Sequence, residues 1–227
     1  MKIQFRALIW LLLFGSIQQA MGQSSTTTGQ TKAITTAVPF LLICPDARSG
    51  GLAEAGVSVA ENANAVYWNP SILAFSEKKY GFGLSYTPWL RNLGIPDINL
   101  AYLPAYYNLG DKGGVIGASL NFFSLGSIEF TDNAGVKTGE YNASEYAMTV
   151  CYSRKITEHL SAGTALRYIH SNLAGATSVG GFPTNPARSV AGGASFFYTK
   201  EFKLKGGKSG KKPLILNAGL AIFNICG

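Results

Sequence analysis

The sequence is poor in the residues from which catalytic and metal sites are built. Of 227 residues, 14% are charged, two are His and three are Cys. Neither His159 nor His170 has another ligand at metal-binding spacing, and three distant cysteines form no disulfide framework or zinc site. The glycines match no phosphate-binding loop, and no Ser, His and Asp can be assigned to a triad. The sequence therefore predicts no catalytic residue, no cofactor and no metal site, and a protein that is not an enzyme.

Long apolar runs are also missing beyond the N-terminus. Residues 1–22 begin with the basic Lys2 and Arg6, continue with the apolar stretch Ala7–Ile17 and end in small residues. Because this stretch is shorter than the about 20 residues of a spanning helix, it predicts a signal peptide cleaved before Gln23. The composition thus excludes a multi-helix membrane protein. It leaves open a β-barrel, whose strands alternate and carry no long apolar run.

From Tyr80 onward, apolar or aromatic residues alternate with small or polar ones, in about seven segments of strand length. In the second segment, Ile98, Leu100 and Tyr102 are assigned to the apolar, lipid-facing side. The small and polar side is assigned to the barrel lumen. Arg167 is the long cation on that side, and we expect it to pair with an interior carboxylate or plug backbone, or else with an anionic ligand. The other lumen-facing residues include Gly117, Ser119, Asn121, Thr149 and Ser153.

The connections between these segments alternate in length. Residues 108–113 and 154–158 are short connections, whereas Ser124–Ser144 and Ser171–Pro186 are long and polar. Bacterial barrels have short periplasmic turns and longer extracellular loops, so the pattern favours an outer-membrane barrel over a soluble β-sandwich. The basic segment 200–212 then falls on the periplasmic side, as a solvated tip or a contact for an acidic partner or anionic headgroups. Nucleic acid is not an expected partner of an exported chain.

The chain divides into four predicted parts. The signal peptide of residues 1–22 is followed by a flexible N-terminus at 23–45 and by a plug-like, small-residue and helical segment at 46–79. A partial, truncated outer-membrane barrel is predicted over residues 80–227. Bacterial barrels use an even number of strands and an open edge is not stable in lipid, so we expect the chain to cover about half a barrel.

Several blocks of sequence resemble the PorV family of the Bacteroidetes type IX secretion system. The N-terminal blocks are Val38–Ile43, Pro45–Gly51 and Trp68–Pro70. The pair Asn69-Pro70 also predicts the start of a helix, with Asn69 as its N-cap. The chain departs from the family at Cys44, where a small residue is expected. The family-motif or plug residues in these blocks are Asp46, Arg48, Gly50, Gly51, Trp68, Asn69 and Pro70. Later blocks are Tyr86–Leu90, Pro96–Tyr102, Phe123–Gly126 and Leu166–Ser171.

The resemblance implies a fold and a function. The fold is all-β, a FadL-like transmembrane antiparallel β-barrel of about 14 strands when complete. The function is a shuttle in the outer membrane, which accepts secreted cargo proteins by their C-terminal domain. Its partners are the translocon, the cell-surface attachment complex, outer-membrane lipid and lipopolysaccharide. A lipopolysaccharide deacylase activity is a further implication, but no nucleophile and base pair in the sequence supports it.

Cargo capture is predicted at the long loops, by contacts that include strand addition. The candidate loops are Pro88–Pro96, Ser124–Ser144 and Ser171–Pro186, and Trp89 and Phe182 are their candidate apolar anchors. The alternative function is a FadL-like channel for hydrophobic solutes, in which the segment 46–75 is the plug. The small and polar lumen residues favour the shuttle, because a solute channel needs a continuous apolar path.

Overall fold

The structure is a computed structural model. It describes residues 38–59, 62–95, 97–110, 113–131, 134–173, 178–179, 182–183, 186–202 and 214–226. The predicted signal peptide, residues 23–37 and most of the basic segment 200–212 lie outside the described residues. None of the helices in the described ranges combines the length and the hydropathy needed to cross a membrane.

The described chain begins with short helices. These are α1 (Pro39–Leu42), α2 (Ala47–Gly51), α3 (Ala65–Trp68) and α4 (Pro70–Phe75), while α5 (Arg91–Leu93) follows later between two strands. Asn69 precedes α4, and its side-chain oxygen accepts a hydrogen bond of 3.1 Å from the backbone N–H of Ser71. Pro70 is the first residue of α4, where its missing N–H costs nothing. The predicted helix start is therefore confirmed.

The rest of the described chain is mainly one antiparallel sheet. The strands are β1 (Tyr80–Phe82), β2 (Ser85–Pro88), β3 (Ile98–Asn108), β4 (Val115–Thr131), β5 (Lys137–Lys155), β6 (Leu160–Asn172), β7 (Ser178–Val179), β8 (Phe182–Pro183), β9 (Ala187–Phe202) and β10 (Leu214–Cys226). β1 and β2 both pair with β3, and the ladder then runs β3-β4-β5-β6-β9-β10, while β7 and β8 pair with each other. The antiparallel, all-β prediction is confirmed. Among the described residues, no ladder joins β10 to β1, so the sheet is open there.

The two faces of the sheet differ in cover and composition. Residues 38–59 and 62–76, called the inner segment below, pack against one face, through α4 on β5, β6 and β9 and α3 on β3 to β5. This inner face buries Gly117, Ser119, Asn121, Thr149, Ser153 and Arg167, as predicted for the lumen side. The outer face exposes large apolar side chains that include Ile116, Met148, Val150, Leu166, Val190 and Leu220. An apolar surface of this extent is unfavourable in water and suits lipid.

The predicted faces of β3 are wrong. Leu100 and Tyr102 are each only 1% exposed and lie on the inner face, whereas Leu103 and Tyr107 are exposed on the outer face. The reason is the inner segment, whose aromatic side chains need apolar partners. The ring centroids of Tyr67 and Tyr102 lie 6.0 Å apart in an edge-to-face arrangement. Alternation reveals two faces of a strand, but it does not reveal which one is covered.

The predicted long loop Ser124–Ser144 is mostly strand. β4 continues to Thr131 and β5 begins at Lys137, so the two strands have 17 and 19 residues. A tilted strand crosses a bilayer in about 9–11 residues, so this hairpin extends well past the membrane. The register shifts between Ser124 and Ser127, and apolar residues beyond that point, such as Ile128 and Val136, are few, so the alternation is interrupted in the sequence. The other long loop, Ser171–Pro186, contains β7 and β8.

The core lies between the inner segment and the sheet. One cluster joins Val66, Ile72 and Leu73 to inner-face residues that include Tyr106 and Phe197. A second cluster packs Phe40 against Ala147, Ile169 and Ala191. The inner segment therefore makes core contacts ahead of the predicted plug boundary at residue 46. The division of the chain into domains stays a prediction.

Candidate functional site

Asp46 links two helices of the inner segment. Its Oδ1 accepts a hydrogen bond of 2.8 Å from the backbone N–H of Ser49, which caps the start of α2. Its Oδ2 accepts a hydrogen bond of 2.8 Å from Nε1 of Trp68 at the end of α3. Asp46 is buried, and hydrogen bonds to a carboxylate are stronger than neutral ones. The loop between α2 and α3 is therefore closed by a single carboxylate.

Asn69 connects the inner segment to the sheet. Its Nδ2 donates to the carbonyl of Val57 at 2.9 Å and to the carbonyl of Phe196 on β9 at 3.1 Å. Its Oδ1 accepts hydrogen bonds from the backbone N–H and the hydroxyl of Ser71. The residue is fully buried, so its loss would remove buried hydrogen bonds that no solvent could replace. One amide thus holds three parts of the chain together.

Small residues of β6 and β9 allow the backbone of α4 to approach the sheet. The hydroxyl of Ser161 donates to the carbonyl of Ser71 at 2.7 Å, and the N–H of Ser71 also donates to Ser195 Oγ at 3.2 Å. A Cβ atom placed on Gly163 would lie 2.9 Å from the backbone nitrogen of Ser71. The small and polar lumen pattern of the sequence therefore reflects close backbone packing against the inner segment.

The seven predicted plug residues do not form a single cluster. Asp46, Trp68, Asn69 and Pro70 lie within one hydrogen-bonded unit, as described above. Arg48, Gly50 and Gly51 lie in α2 and are exposed, and a Cβ on Gly50 would come no closer than 3.6 Å, to Sγ of Cys44. The functional role of all seven residues stays a prediction.

Arg167 is buried on the inner face with partners other than those predicted. Its Nε donates to Thr149 Oγ1 at 3.1 Å, and its Nη1 donates to Asn224 Oδ1 at 2.9 Å. Its guanidinium carbon lies 5.9 Å from the ring centroid of Tyr67 and 5.5 Å from that of Phe223. Within the described ranges, its recorded contacts include no carboxylate and no plug backbone. Two amide or hydroxyl oxygens and two aromatic faces hold the cation instead.

Tyr67 lies between this cation and the start of the inner segment. Its hydroxyl donates to the carbonyl of Leu41 at 2.6 Å, and its ring also contacts Trp68, with centroids 5.0 Å apart. Burial raises the pKa of Tyr67 from 10.0 to about 12, although the nearby charge of Arg167 acts in the opposite direction. The hydroxyl therefore remains a hydrogen-bond donor over the physiological range.

The raised pKa of Tyr67 predicts a loss of stability in alkali. The folded protein holds this proton more tightly than the unfolded chain does. The stabilisation is therefore fully present below about pH 10 and is lost as the pH rises towards 12. We expect the ultraviolet titration of wild type minus that of Tyr67→Phe to show one phenol ionising near pH 12. A difference curve centred near pH 10 would contradict the burial of Tyr67.

The Asp46–Trp68 contact predicts a clear effect of a conservative change. Trp68→Phe keeps an aromatic ring but removes the Nε1 donor, and a hydrogen bond to a charged group contributes about 1.5–3 kcal/mol. We expect the free energy of unfolding in urea to fall by about that amount. Trp89→Phe makes the same chemical change at an exposed turn and should change stability by less than about 0.5 kcal/mol. Equal effects of the two variants would argue against the contact.

The two candidate cargo anchors lie in different connections. Trp89 follows β2, is 37% exposed, and its backbone N–H donates to the carbonyl of Ile98 at 2.9 Å. Leu90, Leu93 and Ile95 of the same connection are exposed as well, so Trp89 belongs to an apolar surface. All three residues lie within the predicted cargo loop Pro88–Pro96, in which only Trp89 was singled out as an anchor. Phe182 lies in β8, where its backbone pairs with Val179.

Comparison with known proteins identifies the family. The family model described as type IX secretion system protein PorV matches residues 26–226. A search of curated proteins finds no match. The family match spans the inner segment and every strand described above, and it confirms the resemblance carried by the sequence blocks. The chain belongs to the PorV family of type IX secretion system proteins.

Proposed function

We propose that this protein is an outer-membrane carrier for secreted proteins. It accepts a cargo protein by its C-terminal domain from the translocon and delivers it to the cell-surface attachment complex. The observation that carries the proposal is the PorV family match over residues 26–226. The proposal includes export by the signal peptide of residues 1–22 and contact with outer-membrane lipid and lipopolysaccharide.

Capture of cargo is assigned to the end of the sheet with the long connections. The apolar surface of Trp89, Leu90, Leu93 and Ile95 supports this, because exposed aromatic and apolar side chains are the usual anchors of protein interfaces. The β4–β5 hairpin projects at the same end and offers backbone for strand addition. Phe182 is the second anchor of the proposal.

The solute channel has less support. The inner segment covers the inner face, and its backbone approaches β6 and β9 closely at Ser71. A hydrophobic solute would have to displace these hydrogen bonds, and Arg167 would lie in its path. The deacylase also has little support from the described residues, because the recorded ring contacts of His159 and His170 are with Tyr198 and Tyr146.

Deletion of the gene in its native host tests the carrier function. Proteins of the periplasm, the cell surface and the medium are compared by mass spectrometry between the wild type and the deletion strain. We expect proteins that share a C-terminal β-domain to disappear from the surface, or to be released with that domain uncleaved. An unchanged distribution together with reduced uptake of a hydrophobic compound would establish the solute channel instead.

Complementation with variants tests the anchors. Trp89→Ala and Phe182→Ala should each restore barrel levels in the outer membrane but only part of the surface cargo. Phe82→Ala is the matched control, because Phe82 is an exposed aromatic of β1, away from the long connections. Full restoration of surface cargo by Trp89→Ala would remove Trp89 from the capture surface.

A further inference from the structure

Lysines sit over exposed aromatic rings at the end of the sheet with the short connections. The Nζ of Lys79 lies 5.9 Å from the ring centroid of Tyr107, and that of Lys200 lies 5.3 Å from the ring centroid of Phe202. Both rings are exposed on the outer face. The ladder places these residues beside the β3–β4 and β5–β6 turns. Each lysine therefore holds a charge next to an apolar surface.

A third cation lies between them along the same edge. Arg154 ends the outer-face row of β5 and is exposed, two residues after Tyr152. The hydroxyl of Tyr152 donates to the carbonyl of Gly113 in the β3–β4 turn at 3.1 Å, which fixes the ring at this level. We call this set the basic–aromatic rim; it consists of Lys79, Arg154, Lys200, Tyr107, Tyr152 and Phe202.

At the opposite end of the sheet, by contrast, a lysine is paired with carboxylates. There Lys137 forms ion pairs with Glu129 at 2.7 Å and Glu140 at 2.8 Å. Carboxylates also occur near the rim, at Glu77, Glu158 and Glu201, but none of them forms an ion pair with a rim cation within the described residues. The rim cations are therefore available to an external anion.

We propose that the basic–aromatic rim binds the phosphate groups of anionic glycerophospholipids. The apolar outer face continues directly from the rim: Lys200 pairs with Leu216 and Phe202 with Leu214, and both leucines are exposed. A phospholipid presents a phosphate beside acyl chains, which matches a cation beside exposed rings and leucines. An acidic protein surface would match the charge but would leave these apolar groups uncovered.

The surface at Lys79 has room for a headgroup. An open recess of about 620 Å³ is bordered by Lys79, Tyr107 and Lys155, and also by Phe75 and Glu77. The Nζ of Lys155 lies 5.2 Å from the ring centroid of Phe75 in the inner segment, so a second ammonium borders the recess from the inner side of the sheet. Two lysines against one carboxylate leave the recess cationic, as a phosphate requires.

Native mass spectrometry of the full chain in a nonionic detergent tests the proposal. Phosphatidylglycerol and phosphatidylcholine of the same acyl chains are titrated against wild type and against Lys79→Gln/Arg154→Gln/Lys200→Gln. Each basic residue near an anionic surface contributes about fivefold in binding, so the triple variant should bind phosphatidylglycerol about a hundredfold more weakly if the three contributions are independent. Binding of phosphatidylcholine should be unchanged.

Two control variants make the result specific. Arg91→Gln/Lys137→Gln/Arg188→Gln removes three cations elsewhere and should keep the phosphatidylglycerol preference, as should Lys79→Arg/Arg154→Lys/Lys200→Arg. If the rim triple does not fold, Lys200→Gln alone should still show about fivefold weaker binding. The proposal is wrong if the rim triple keeps the preference, or if both Gln triples lose it equally. It is also wrong if the rim triple variant binds phosphatidylglycerol as wild type does but no longer binds an acidic protein that wild type binds.

Discussion

Replacing Asn69 with Asp is expected to destabilise the protein by about 3–5 kcal/mol. The two side chains have the same shape, but a carboxylate cannot donate to the carbonyls of Val57 and Phe196. Both carbonyls would lose this donor in a fully buried site and would face a negative charge. Urea unfolding followed by tryptophan emission measures the change, because Trp68 lies in the inner segment next to the substituted residue.

The same substitution at a partly exposed amide is the control for Asn69. Asn99 donates to the carbonyl of Asp97 at 3.2 Å at the start of β3. Asn99→Asp should therefore shift the free energy of unfolding by less than about 1 kcal/mol. If Asn69→Asp is as mild as Asn99→Asp, then Asn69 does not hold the inner segment to β9.

Adding one methyl group at Gly219 is expected to force the inner segment away from β10. A Cβ on Gly219 would lie 2.2 Å from the carbonyl oxygen of Val57 and 2.9 Å from Nδ2 of Asn69. The first of these atoms belongs to the backbone and cannot rotate away. We expect Gly219→Ala to reduce the free energy of unfolding by about 2–4 kcal/mol and to expose residues near Val57 to protease.

Gly192 provides the matched control on the neighbouring strand. A Cβ there would come no closer than 3.9 Å to another atom, the carbonyl oxygen of Ile225. Gly192→Ala should leave stability within about 1 kcal/mol of wild type and the protease pattern unchanged. Equal protease sensitivity of the two variants would contradict the close contact between Val57 and β10.

The sequence predicted those parts of the fold that repeat. Alternation from Tyr80 onward located the strands, because lipid on one side and the covered lumen on the other impose a period of two. The small and polar residues Gly117, Ser119 and Asn121 were also assigned to the correct face. The Asn69-Pro70 pair predicted the start of α4, since capping depends on a few adjacent residues.

The parts that depend on distant contacts were not predictable. The inward side of Tyr102 follows from its contact with Tyr67 of the inner segment, which lies 35 positions earlier in the chain. The hydrogen-bond partners of Arg167 lie in β5 and β10, and no pattern in the sequence around Arg167 predicts them. The extension of β4 and β5 past Ser124 was not predictable, because the register shift between Ser124 and Ser127 interrupts the alternation.

The bond from Asn69 to Phe196 has a consequence for the order of assembly. It spans 127 positions of the chain, and the bond from Ser71 to Ser195 spans 124. The inner segment leaves the ribosome before the strands that satisfy its amide and backbone groups. Closing loops of this length is slow and entropically costly, so these contacts form late. The inner segment is therefore expected to remain unassembled until β9 is in place, with its apolar side chains open to aggregation during that interval.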